Sequence, residues 1–169
     1  MIENIFLKFC ADELLQLSGR IEDCLGRLTY DQIWLRNSDN ANSVGNLVLH
    51  LCGNVRQWIG YGVGGQPDLR DRDSEFAARG GLQTVELSQR LQATIADAAG
   101  IIRNLAPERL METRTIQKYE VTVMEAILHV VEHFGQHTGQ IIFATKLLTG
   151  QDLGYYKHLN KPAHFETTP

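Results

Sequence analysis

Six histidines occur in the 169 residues, and three of them, His129, His133 and His137, stand at successive steps of four within HVVEHFGQHTGQ, residues 129–140. On an α-helix a step of four advances about 6 Å and drifts only about 40° around the axis, so neighbours in this series face the same way. Two such imidazoles can share one divalent ion. His129 and His137, about 12 Å apart along the axis, exceed the span of two ligands with bonds near 2 Å, so the spacing admits either His129/His133 or His133/His137 as the pair. Packed or solvated histidines can also show this spacing. The run is not a zincin motif: HFGQH lacks the glutamate of HExxH, and Glu132 lies about 100° around the helix from His133.

A third imidazole is available in NSVGNLVLHLCGN, where His50 sits between Leu49 and Leu51 in a second apolar segment. By itself it reads as a core or boundary histidine held by a hydrogen bond. If its helix neighbours that of the histidine stripe, His50 can meet the lower pair His133/His137 from across the interior. Three neutral nitrogens then leave a coordination position for water or substrate, as in a catalytic or regulatory site rather than a closed structural one. Such a donor set suits Zn or Ni and accepts Fe or Mn; the number of histidines does not choose the ion.

These residues need helices to position them, and the apolar periodicity supplies four. Residues 2–28 carry Ile5, Phe6, Phe9, Leu14, Leu17, Ile21, Cys24 and Leu25 mostly at intervals of three and four, the pattern of one buried face. TYDQIWLRNSDNAN breaks that pattern with small polar side chains, and Ser43 or Asn42 can cap the next helix. VGNLVLHLCGNVRQWIGYGV then predicts a second helix of about five turns, ending where Gly60, Gly62, Gly64, Gly65 and Pro67 accumulate. Residues 65–81, GQPDLRDRDSEFAARGG, read as a long surface connection with room for one helical turn. Thr84 precedes a third stripe of Val85, Leu87, Leu91, Ile95, Ala98, Ile102 and Leu105. RTIQKYEVTV permits a short extended or hairpin link. The fourth helix is expected from Thr122 or Val123 to Leu148, before Gly150, and residues 151–169 read as a terminal excursion of a single domain spanning 1–169. Four long amphipathic segments with few strand signals make an all-α four-helix bundle, and the long connection between helices two and three allows an up-down-down-up order.

Composition narrows the function. A chain of 19.0 kDa with 16 basic and 20 acidic residues, net charge −4 and pI near 5.8, lacks the concentrated positive field of a nucleic-acid-binding surface. MIENIFLKFCADELLQL interrupts its apolar groups with charges, so neither a membrane span nor a cleavable leader is expected, and the expected location is cytoplasmic. Cys10, Cys24 and Cys52, odd in number and in apolar settings, read as reduced, buried thiols.

On NSVGNLVLHLCGNVRQWIGYGVGGQPDLRDRDSEF, residues 42–76, and LHVVEHFGQHTGQI, residues 128–141, the chain resembles the DinB-like, YfiT-like family of small four-helix-bundle metalloproteins, in an uncharacterised branch with a glycine-rich middle segment. Most of the chain shares the likeness. The resemblance implies that the metal triad is His50, His133 and His137, and it leaves His129 as a neighbouring wall residue. It also implies a homodimer, and some members of the family look like thiol-dependent transferases or isomerases.

Around that centre Asn46, Asn54 and Arg56 are candidates for a polar opening, Gln136 and Gln140 for tuning the metal environment, and Trp58, Trp34 and Tyr61 for packing or the pocket boundary. Gly45 and Gly53 mark close packing on the His50 helix. The charged run DLRDRDSEF, residues 68–76, reads as solvated loop surface. The expectation is thus a divalent-metal-dependent, transferase-like protein (a thiol transferase, isomerase or hydrolase) that activates a low-molecular-weight thiol or water against a small electrophile. A noncatalytic metal-binding or metal-stabilised dimer is the alternative, and an apo helical adaptor is a third reading.

Overall fold

The computed structural model describes residues 1–157. Four long helical segments form the bundle: α1, Ile2–Arg27; α3, Val44–Val55, continued by a π-helical segment, Arg56–Val63; α5, Thr84–Arg103; and α6, Val123–Thr149. Two short helices lie in the connections, α2 (Tyr30–Trp34) and α4 (Arg72–Ala77), with a 3-10 turn at Pro107–Met111. The periodic stripes become the core: Leu14, Ile21 and Leu25 of α1, Leu51 of α3, Leu91, Ile95 and Ile102 of α5, and Phe134 of α6 are fully buried. The three cysteines are buried and free.

The directions of the helices are given by contacts far apart in sequence. Asp12 bonds to Arg103 and Glu22 to Gln92, so α1 and α5 are antiparallel. Leu17 approaches Gly135, and Arg27 bonds to Gln151 just beyond α6, so α1 and α6 run together. His50 meets His133 and Trp58 meets His129, which makes α3 antiparallel to α6. The order is up-down-down-up. The parallel pair α3 and α5 must be joined end to end along the bundle, and the long stretch between Val63 and Thr84 does this.

Three local readings of the sequence are corrected. Tyr30–Trp34, expected to be a polar break, is a short helix because Thr29 and Gln32 form a capping box that satisfies its first amides. The second long helix does not stay α-helical to its end: from Arg56 it widens to i→i+5 winding, a rare conformation that often accompanies functional sites. The run 68–76 is not simply solvated, since the side chains of Arg70 and Glu75 retain only 3% and 7% exposure. The hairpin link is present, with β1 (Thr113–Ile116) pairing antiparallel to β2 (Tyr119–Thr122) around a two-residue turn at Gln117 and Lys118, both at positive φ. Thr122 and Glu125 then cap α6 reciprocally. Residues 151–157 continue from α6 without regular helix or strand apart from a single turn; the rest of the expected terminal excursion lies outside the described residues.

Candidate metal centre

Because α3 and α6 pack antiparallel, His50 and Trp58 on one side face His129, His133 and His137 on the other. His133 Nε2 lies 3.1 Å from His50 Nε2 and 3.1 Å from His137 Nε2. Ligand atoms of the three residues all fall within 4.8 Å of one another, the one such group of histidine, cysteine or acidic side chains among the described residues. Two tetrahedral ligands with bonds of 2.0–2.1 Å are separated by about 3.3 Å, close to both 3.1 Å spacings at His133. His129 stands outside it. Its ring stacks on His133 at 5.7 Å and lies 4.2 Å from Trp58.

The second nitrogen of each ring decides which way its lone pair points. His50 Nδ1 is 3.0 Å from Glu75 Oε2 and 3.1 Å from an Arg70 guanidinium nitrogen. It can serve only one of them. A carboxylate only accepts, and Arg70 is already engaged with both Glu75 oxygens at 2.8 and 2.9 Å, so the His50 proton sits on Nδ1 and its Nε2 lone pair faces the cluster. His137 Nδ1 likewise donates to Gln140 Oε1 at 2.7 Å. His133 Nδ1 is buried without a hydrogen-bond partner.

Electrostatics favour neutral imidazoles. Burial, followed by the neighbouring His137, His50 and His129 and by Arg70, pushes the pKa of His133 down to about 3. Burial also lowers His137, partly opposed by its bond to Gln140, and lowers His129, partly opposed by Glu132. For Glu75 burial works against ionisation, but the His50 hydrogen bond and the Arg70 fork outweigh it and hold its carboxyl below the usual range. Glu75 is therefore a carboxylate behind a histidine, an arrangement that raises ligand basicity.

Glu75 and Arg70 were not legible as site residues, although one signal pointed towards them. A Cβ at Gly53 would collide with the Glu75 carboxylate and come within 3.2 Å of Arg70 Nε, so the glycine one turn along from His50 makes room for this pair. Gly45 makes room in the same way for the Trp34 ring, 2.7 Å from where its Cβ would stand. Phe76, next to Glu75, packs against His50 with ring centroids 4.7 Å apart.

Several expected pocket residues stand elsewhere. Asn46 caps α3 with Ser43 and donates to the carbonyls of Glu75 and Ala78, both at 2.9 Å, so it anchors α4 from behind instead of lining an opening. Gln136 donates to Glu132 on the exposed side of α6. Arg56 lines a cleft of about 510 Å³ together with Leu49, Gly53, Arg70 and Glu75, and no histidine faces that cleft. Trp34 and Trp58 are buried, whereas Tyr61 is 40% exposed. Asn54 is buried, midway between His50 and Trp58 in sequence.

Comparison with known proteins agrees with this architecture. A family model described as a protein of unknown function, DUF1572, matches residues 2–161. No curated protein matches the sequence significantly. Among solved structures, a conserved protein from Enterococcus faecalis superposes with a TM-score of 0.72 at 18% identity, over 84% of this chain and 96% of its own. A DinB-like protein, YjoA, from Bacillus subtilis superposes with a TM-score of 0.66 at 16% identity, over 87% and 96%. At these identities the likeness is one of fold, and the fold is the DinB-like helical bundle. No described helix is long and apolar enough to cross a membrane.

Proposed function

The chain belongs to the DUF1572 family, described as of unknown function, and from its converging imidazoles we propose that it is a divalent-metal-binding protein in which His50, His133 and His137 hold one ion through Nε2. Three nitrogen atoms within reach of a single centre, two of them on rings whose other nitrogen is already hydrogen-bonded, carry this reading. Zn or Ni suits the donor set best, with Fe or Mn accepted. Three protein ligands leave a position for a small molecule.

An ion held there would supply a Lewis acid, making a thiol or water more nucleophilic at neutral pH. The remaining chemistry belongs to the chain. Glu75 accepts the hydrogen bond from His50 Nδ1–H and makes Nε2 a stronger ligand; Arg70 compensates the buried carboxylate; Gln140 orients His137; burial keeps His133 neutral. Transfer, isomerisation or hydrolysis of a small electrophile, with a low-molecular-weight thiol or water as nucleophile, is the reaction class this arrangement supports, in a cytoplasmic setting. Metal analysis of metal-replete protein, followed by a panel of bacillithiol, mycothiol, glutathione and water against small electrophiles, tests both parts. A metal-replete preparation with no bound ion would overturn the reading.

A second reading, a noncatalytic metal-stabilised dimer, is favoured by exposed Ile2, Met111 and Met124, which line one groove of about 750 Å³. Native mass measured across concentration separates it from a monomer.

A further inference from the structure

Of the three clustered histidines, two have the proton on their outer nitrogen held by an acceptor, and His133 does not. Metal-binding histidines almost always donate that N–H to a carboxylate, a carbonyl or a water, because the bond fixes both tautomer and ring orientation. His133 Nδ1 is fully enclosed, so bulk solvent does not serve it.

Two further enclosed polar atoms without partners lie on the facing segment: Asn54 Oδ1 and Trp58 Nε1. Both residues are 4% exposed. His50, Asn54 and Trp58 succeed one another at steps of four, and contacts at both ends fix their register against α6. His50 Nε2 is 3.1 Å from His133 Nε2, and the Trp58 ring is 4.2 Å from His129. Asn54, midway between His50 and Trp58, therefore faces the stretch of α6 between His133 and His129. The π-helical winding that begins at Arg56 keeps Trp58 in this line, since a wider helix turns less per residue and offsets the drift an α-helix accumulates at each step of four.

The chemistry of the three atoms is complementary to one molecule. Trp58 Nε1 only donates, His133 Nδ1 donates when its Nε2 lone pair faces the cluster, and Asn54 Oδ1 only accepts. A water accepts two hydrogen bonds and donates to the third atom, and buried waters typically make about three bonds to otherwise unsatisfied groups. We infer that Asn54 and Trp58 are positioning residues for His133: through a single buried water they keep its proton on Nδ1 and aim Nε2 at the ion. The inference rests on the metal-binding reading and gives His133 the outer partner that Glu75 gives His50 and Gln140 gives His137.

The test uses the full chain loaded with zinc, with long-range 15N–1H correlation of the imidazoles for tautomer and proton exchange, and chelator competition for affinity. In the unmodified protein the His133 Nδ1 proton should be present and protected from exchange. Asn54→Leu, close in shape to the original, and Trp58→Phe, smaller but still aromatic, remove the acceptor and one donor, and each should lose that protection and weaken zinc binding by about 10- to 100-fold. Asn54→Asp, still an acceptor, should keep the proton protected. Trp58→Phe, an aromatic exchange that circular dichroism can check, decides the matter if Asn54→Leu fails to fold. Folded variants with unchanged affinity and a still-protected His133 proton overturn this inference and leave the three-histidine reading standing. Failure of the unmodified protein to bind zinc or any other divalent ion overturns both.

Discussion

Glu75 Oε2 lies 3.0 Å from His50 Nδ1, joining the short helix α4, between the second and third long helices, to the candidate metal centre. The bond makes the carboxylate part of the site although its hydrogen bonds go only to His50 and Arg70. Glu75→Gln keeps the shape but removes the charge, and it should weaken divalent-metal binding by about 10- to 100-fold. Isothermal titration of the metal-free protein with Zn measures it. Unchanged affinity would mean that the carboxylate serves only the fold.

Substitution of the proposed ligands separates the upper from the lower pair. His50→Ala, His133→Ala and His137→Ala should each greatly weaken metal binding, because two imidazoles remain. His129→Ala should retain it better, since that ring meets Trp58 and His133 from outside the cluster. Calorimetric titration of the four variants, with circular dichroism as a control for folding, reads the difference. If His129→Ala abolished binding while His137→Ala bound normally, the upper pair would hold the ion.

The space above Gly53 gives a stability test. Gly53→Ala should displace the Glu75 carboxylate and break up its buried pairing with Arg70, a class of loss that costs about 3–5 kcal/mol. Gly19→Ala in α1, where nothing lies within 4 Å of the new methyl group, should instead stabilise the protein by about 0.5–1 kcal/mol through helix propensity. Urea unfolding of the metal-free variants compares them. A Gly53→Ala protein as stable as the parent would rule out the tight fit.

Acid should destabilise the metal-free protein. His133 titrates near 6.5 when unfolded but only at about 3 when folded, so between these values the unfolded chain binds more protons. Stability from this group is present above pH 6.5 and is lost progressively as pH falls towards about 3. Glu75, whose folded pKa is depressed, acts in the same direction below its ordinary value of 4.5. Thermal unfolding from pH 7.5 to 5 should show a falling midpoint, and His133→Gln should flatten the slope. An equal slope in the variant would assign the effect to other groups.

The long helices, the hairpin and the terminus of α6 were legible because they rest on local physics: a 3.6-residue apolar period, extended residues between breakers, and a Thr122–Glu125 capping box. The histidine stripe was legible for the same reason, since residues four apart on one helix are neighbours wherever that helix is placed. Spacing alone left the choice between His129/His133 and His133/His137 open, because the meeting point with His50 depends on how far α3 is slid and rotated against α6. Tertiary packing set that register. Packing also turned Arg70 and Glu75 inward from a charged run, and no local pattern encodes this: their burial depends on a glycine some twenty residues earlier in the chain, on the Asn46 bonds that hold α4, and on a histidine that needs an acceptor. The sequence determined which residues could do chemistry. The tertiary structure decided which of them meet, because a contact between distant segments depends on the relative placement of whole helices, and local periodicity specifies only the face that each helix buries.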